Sequence, residues 1–326
     1  MKHRFDTQFF PGWTRKCVTF TIDDGNVEMD RKFLDIVRPA GIRGTFNLCS
    51  HLTNQMTPNG YRQLYAGYEI ANHCKYHPFA CQDYMNYVVS DHSCEPGKDP
   101  VSLSPDGKTE VLYPLPQDVV GRLGKNAEGM YHVLLGRGLR LLATPERYVE
   151  CIRQCHDELE EIFGKGSVRS FAWPFDRQKC EVVEKYLAAM PYYGVRGSGK
   201  WGAEESFAMP PKRTYWKMTA YSTDLLEKAA AYVAQPDDGT LKFFCFGAHS
   251  IDYENRWHQL REFADTFGNR PKEYYSATVG EIFDYEDAVK ALVIEQDSIY
   301  NPSGLDVYLK VDGEPVLLKA GEKRYL

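Results

Sequence analysis

The chain has 326 residues, with 39 Lys and Arg against 45 Asp and Glu, for a formal net charge of −6. Both signs are spread along the sequence, which argues against nucleic acid or an anionic membrane as partner. No run approaches the ~18 apolar residues of a membrane span, and Met1-Lys2-His3-Arg4-Phe5-Asp6 lacks the apolar stretch of a secretory signal, so the expectation is a cytoplasmic protein, with a secreted form trimmed of its signal as the alternative.

The length suits one large α/β domain, or one domain with an appendage. The nine cysteines are odd in number and irregularly spaced, so they read as reduced core residues rather than a disulfide framework. Aromatics make up 13% of the chain, including 22 Tyr, so some rings must be exposed and could stack on sugars; most are expected to pack the core.

In chain order, residues 17–22 read as a strand and 30–38 as a helix, with Phe33, Leu34 and Val37 on one face and Pro39 and Gly41 as its stop. Residues 44–48 form a second strand, 61–66 a helix closed by Gly67, and 68–72 a third strand that delivers His73. From about 90 to 142 the periodicity fades among Pro96-Gly97, Pro105-Asp106-Gly107, Pro114 and Pro116. That stretch is expected to be an inserted lid without clear elements of its own.

Residues 145–163 carry the strongest helical pattern: Thr144 to cap it, Pro145 in the first turn, Val149, Ile152 and Leu159 on one face, Gly164 to end it. Strands follow at 170–175, 192–196, 214–218, 242–246 and 274–277. Helices are expected at 182–190, at 224–234 with Ser222 or Thr223 as cap, and at 279–292. The pattern predicts an α/β fold, a distorted (β/α) barrel of about seven parallel strands over residues 1–292. Turn signals at Asn301-Pro302-Ser303-Gly304 and Asp312-Gly313 mark a small β appendage over 293–326. It is too small to stand alone, so it packs on the main domain or on another subunit, and a homo-oligomer stays open.

Asp23, Asp24, His73, Pro174, Phe175 and His249 all fall at or just past the C-terminal ends of expected parallel strands, where such folds place their chemistry. An adjacent carboxylate pair plus two histidines four apart is the material of a one-metal hydrolase site. Two imidazoles and a carboxylate can hold a divalent cation with positions open, and the spare carboxylate can take a proton from water. Taken singly the signals are weak, because Asp-Asp-Gly is a common turn.

Thr21-Ile22-Asp23-Asp24-Gly25, His73-Cys74-Lys75-Tyr76-His77-Pro78, Phe171-Ala172-Trp173-Pro174-Phe175-Asp176 and Phe243-Phe244-Cys245-Phe246-Gly247-Ala248-His249 occur in that order. Together they resemble the motifs of the polysaccharide deacetylases of the NodB-homology, carbohydrate esterase family 4 type. The resemblance implies that Asp24, His73 and His77 hold one divalent ion, most often zinc, with cobalt or nickel as alternatives. It implies Asp23 as general base, His249 as general acid, and the Phe175 N–H as an oxyanion donor.

Several positions depart from the family pattern. Cys74 replaces a hydroxyl residue, Asp176 replaces a glycine, and Ala172 stands where an arginine often orients the base. Arg213, in Pro211-Lys212-Arg213-Thr214, is the candidate replacement, with Arg196 and Arg169 as rivals. Trp216 or Trp201 is a candidate to line the acetyl pocket, and Trp173 and Trp216 are substrate-binding candidates weighed against ordinary core positions. No partner for His249 is evident.

The implied reaction is metal-dependent removal of an N-linked, or less readily O-linked, acetyl group from an acetylated amino sugar or oligosaccharide. Two alternatives remain: an amidohydrolase on a small cyclic amide or ureide, and a non-catalytic carbohydrate-binding protein. Asp23 speaks against the last, since a binder has no use for a spare base.

Overall fold

A computed structural model describes residues 3–80, 101–103, 109–113, 117–135, 138–175, 180–197, 206–211 and 213–326. The chain divides into two compact units, one of Met1–Asn47, Arg62–Ile70 and Gly199–Leu326, the other of Leu48–Tyr61 and Ala71–Ser198. Nine strands form the main sheet: β1 (Lys16–Asp24), β2 (Thr45–Leu48), β3 (Glu69–Asn72), β4 (Ser170–Ala172), β5 (Gly194–Arg196), β6 (Thr214–Trp216), β7 (Ala220–Tyr221), β8 (Lys242–His249) and β9 (Tyr275–Ser276). Their hydrogen-bonded order is β6-β5-β4-β3-β2-β1-β8-β7, with β9 also on β1. The pairs β1–β8, β1–β9, β7–β8, β3–β4 and β4–β5 are all parallel. The α/β class and its parallel strand–helix alternation hold. β7, two residues long, has no periodicity by which a sequence could announce it.

In the first unit, β1 is buried from Cys17 to Ile22, as befits a parallel strand covered on both faces. β8 runs beside it in register from Lys242↔Lys16 to His249↔Asp23, which sets His249 level with Asp23. Gly247 makes this approach feasible: a Cβ there would lie 2.5 Å from Thr21 O and 2.0 Å from Met218 Sδ. Phe20 meets Phe33 and Phe46 edge-on at 5.0 and 5.4 Å between ring centroids, and Phe246 at 5.8 Å, forming the core under the strand ends.

Helix α1 (Val27–Val37) starts three residues before its expected position, because Asn26 caps it by accepting from Met29 N at 3.2 Å. Helices α5 (Leu225–Val233), α6 (Trp257–Phe267) and α7 (Val279–Lys290) follow in this unit. Neither Ser222 nor Thr223 caps α5; Asp224 sits at its N-cap, and its carboxylate accepts from Tyr221 N at 2.6 Å. α7 opens with a reciprocal Thr278–Glu281 capping box.

Residues from 293 onward form short antiparallel strands. Val307, Leu309, Val311 and Leu318 pack with Ile299 against Ala288 of α7, and Tyr308 N donates to Tyr285 Oη at 3.0 Å. The tail thus has contacts with α7 of its own chain. Asp312 and Gly313 both have positive φ (52° and 90°), the two-residue hairpin turn that Asp-Gly favours.

The second unit holds α2 (Pro58–Leu64) in part, α3 (Pro145–Phe163) and α4 (Glu181–Ala189). α3 is built as its sequence predicts, with Thr144 accepting from Arg147 N and Gly164 beyond its end at φ 107°. The stretch expected to lack elements instead contains an antiparallel series, Val101–Leu103, Thr109–Tyr113, Met130–Leu135 and Gly138–Ala143, joined in parallel by Phe79–Ala80. Strands this short, interrupted by Pro and Gly, show no periodicity until cross-strand pairing aligns them.

The seven described cysteines are buried. No described helix is long and apolar enough to cross a membrane.

Candidate metal centre

β1 ends in Asp23 and Asp24. Successive residues of a strand face opposite ways, but here the chain turns: Asp24 has φ 75°, Gly25 has φ 90°, and Gly25 N donates back to Asp23 O at 3.1 Å. Asp tolerates the left-handed region better than most residues, and Gly enters it freely.

A similar device follows β3. Asn72 Oδ1 accepts from Cys74 N at 2.8 Å, and Cys74 and His77 take φ values of 63° and 53°. The two histidines therefore meet through left-handed bends rather than along a helix, with ring centroids 4.9 Å apart. Clustering of such backbone states is a mark of functional sites. His73 is 1% exposed, and its N–H donates to Leu48 O at 3.1 Å. Its Nδ1 lies 2.8 Å from Ala172 O. A carbonyl only accepts, so Nδ1 carries the hydrogen and Nε2 keeps its lone pair, as a metal-ligating histidine requires.

Asp24, His73 and His77 each offer a ligand atom, and these atoms all lie within 4.8 Å of one another. Two imidazoles and one carboxylate suit a borderline divalent ion and leave coordination positions open. The residues present thus fit the metal that the motifs imply. Phe175, at φ 64°, packs edge-on against His77 with centroids 4.4 Å apart, and stacks on Phe79 at 3.8 Å and 3°.

His249 ends β8, with Nε2 3.6 Å from Asp24 and Nδ1 2.9 Å from Asp252 Oδ2. Asp252 also accepts from His249 N at 3.1 Å. The Asp252 hydrogen bond, helped by the charges of Asp23 and Asp24, outweighs partial burial and raises the imidazole to about 9. The same hydrogen bond holds the Asp252 carboxyl below its ordinary value. Sequence reasoning missed Asp252, because this reciprocal cap uses His249 and Asp252 in place of the usual Ser/Thr and Glu/Gln.

Asp23 accepts from Asn47 Nδ2 at 2.8 Å. Asn47 was also missed; its signal was an amide side chain within the short strand Thr45-Phe46-Asn47-Leu48, all four residues of which are buried.

Three further expected site residues have well-defined neighbours. Arg213 is committed to α7, where its guanidinium pairs with Asp287 and Glu286 and donates to Phe283 O at 2.8 Å. Its partner Asp287 lies 74 residues along the chain. Trp173 is 1% exposed, between Phe171 and Tyr148 at 5.6 Å each. Trp216 is 6% exposed, edge-on to Phe243 and Phe283 at 6.1 Å each. Both rings are buried among aromatic neighbours. Among the rival arginines, Arg196 is buried on β5, and Arg169 lies over the Tyr193 ring at 5.5 Å. Asp176 and Trp201 lie outside the described residues.

Residues 12–105 match the family described as polysaccharide deacetylase. That segment carries Asp23, Asp24, His73 and His77, so the resemblance read from the first two motifs holds over it. Among solved structures, the chain is similar to the chitin deacetylase of Colletotrichum lindemuthianum, at 14% identity and TM-score 0.45 over 82% of this chain and 87% of that one. It is similar to the peptidoglycan deacetylase PdaC of Bacillus subtilis, at 14% and 0.44 over 85% and 95%. It is also similar to a polysaccharide deacetylase of Bacillus cereus, at 15% and 0.42 over 81% and 92%. No curated protein sequence matches the chain.

Proposed function

We propose that this protein is a metal-dependent deacetylase that hydrolyses the N-linked acetyl group of an acetylated amino sugar or oligosaccharide. The observation that carries the reading is the convergence of Asp24, His73 and His77 ligand atoms within 4.8 Å, next in sequence to a second carboxylate. In this reading the catalytic domain spans residues 1–292 with an insertion at about 90–142, and residues 293–326 form the appendage.

Asp24, His73 and His77 would hold one divalent ion, zinc in the first instance. Bound there, it would supply Lewis-acid polarisation of the acetyl carbonyl and a pKa for water lowered toward about 7. The remaining steps belong to side chains. Asp23 accepts the proton of the attacking water. His249, protonated and held through Nδ1 by Asp252, gives a proton from Nε2 to the departing amine. The Phe175 N–H donates to the developing oxyanion.

The test is metal content of the purified protein beside His73→Ala/His77→Ala, with acetate release from N-acetylglucosamine and its short oligomers measured on the same samples. About one ion per wild-type chain, lost in the double variant, together with acetate release, supports the reading. A wild type that takes up no zinc, cobalt or nickel overturns it. Metal uptake without acetate release removes the deacetylase assignment and leaves a metal site with another amide substrate.

A further inference from the structure

Strand β2 is buried throughout, and Asn47 within it is 3% exposed. Its Nδ2 lies 2.7 Å from Thr21 Oγ1, 2.8 Å from Asp23 Oδ1 and 3.3 Å from Ile22 O. A carboxylate and a backbone carbonyl only accept, so the group facing them must be the NH2, and chemistry settles the orientation of the amide. Two of the three acceptors belong to β1 itself rather than to the Asp23 side chain. The amide is therefore held in place by the strand, and it presents a fixed donor to Asp23 instead of following it.

That arrangement answers a need created by the turn. Asp23 precedes a residue in the left-handed region at the open end of a strand, and its carboxylate can rotate about two bonds. A base must sit within hydrogen-bond reach of the proton it removes, and misplacement by about 1 Å is costly in rate. A donor locked on Oδ1 restricts both rotations before substrate arrives.

We propose that Asn47 is a positioning residue for the general base, anchoring the Asp23 carboxylate to the end of β1 through Thr21 and Ile22. The proposal rests on the reading of Asp23 as base given above.

The variant Asn47→Leu keeps the branching and heavy-atom count of the side chain and deletes the donor. With metal content unchanged, kcat should fall about 10- to 100-fold while KM stays within ~2-fold. In an Asp23→Ala background the same substitution should cost less than ~2-fold, because the group it acts through is already gone. Equal losses in both backgrounds, or a change confined to KM, would overturn the proposal. Thr21→Val removes one of the amide's anchors with little change of shape, and it should lower kcat by a smaller factor in the same direction.

Asn47→Leu leaves buried acceptors without their donor and could fail to fold, so a second readout uses the full chain with asparagine alone isotopically labelled. The side-chain amide resonances of Asn47, assigned through its own Cβ, should move on Asp23→Ala. Resonances that stay in place would overturn the anchoring. If the metal-loaded wild type releases no acetate, the deacetylase reading falls, and the amide shift still decides whether Asn47 holds Asp23.

Discussion

His249 and Asp252 form a closed pair: the carboxylate accepts from both the imidazole, 2.9 Å from Nδ1, and the backbone N–H of the same histidine at 3.1 Å. One side chain thus orients the ring and caps the turn that follows β8. With Nδ1 engaged, the other nitrogen, 3.6 Å from Asp24, is the one directed to the proposed metal centre.

Asp252→Asn should therefore damage the acid step more than binding. A positioned general acid contributes about 10²–10⁴-fold, and loss of its orientation should remove part of that, roughly 10- to 100-fold in kcat. KM and metal content should be unchanged. Steady-state kinetics on an N-acetylated oligosaccharide, with metal analysis of the same preparation, checks this. A loss seen only in KM would assign Asp252 to substrate binding instead.

Metal removal should lower stability. An ion present at 100 times its Kd stabilises the native state by about 2.7 kcal/mol. A chelator should then lower Tm by on the order of 5 °C for a chain of this size. His73→Ala/His77→Ala should show the lower Tm already and no response to chelator. Thermal scans with and without chelator decide, and an equal response of both proteins would place the stabilising ion elsewhere.

Asp30 predicts a pH dependence. It is buried on α1 and accepts from Tyr65 Oη at 2.6 Å. Burial raises its carboxyl from 3.8 to about 7, with the Asp24 charge adding to the effect and hydrogen bonds opposing it. Between pH 4 and 7 the native state thus keeps a proton that the unfolded chain has released. Stability attributable to this group falls as pH rises through that window and is level above it. Each pKa unit corresponds to about 1.4 kcal/mol, so the full effect is on the order of 4 kcal/mol. Asp30→Asn should match the metal-free wild type near pH 4 and exceed it by a few kcal/mol at pH 8. Urea denaturation across the range checks the sign, and an advantage largest at pH 4 would refute it.

Arg213→Ala should leave kcat within ~2-fold of wild type. It should cost about 1–2 kcal/mol through the lost pairing with Asp287 and Glu286 and the lost contact with the Phe283 ring, 5.1 Å from the guanidinium carbon. Kinetics and denaturation of one variant separate the two roles, since a large fall in kcat at unchanged stability would return Arg213 to the base.

The amino-acid sequence by itself determined what depends on neighbours along the chain. Helix α3 was legible because Thr144, Pro145 and Gly164 act within one turn of its ends. The alternation of strand and helix was legible because apolar spacing records which faces are covered. Asp23-Asp24-Gly25 and His73 to His77 were legible as candidate ligands because each set is a local cluster of one chemistry. Tertiary structure decided what depends on register and approach. The level pairing of His249 with Asp23 follows from the β1–β8 alignment. The amide of Asn47 reaches Asp23 only because β2 is folded against the end of β1. Arg213 went to α7 because a cation takes the carboxylates that packing brings to it, and no spacing in a one-dimensional string encodes that distance.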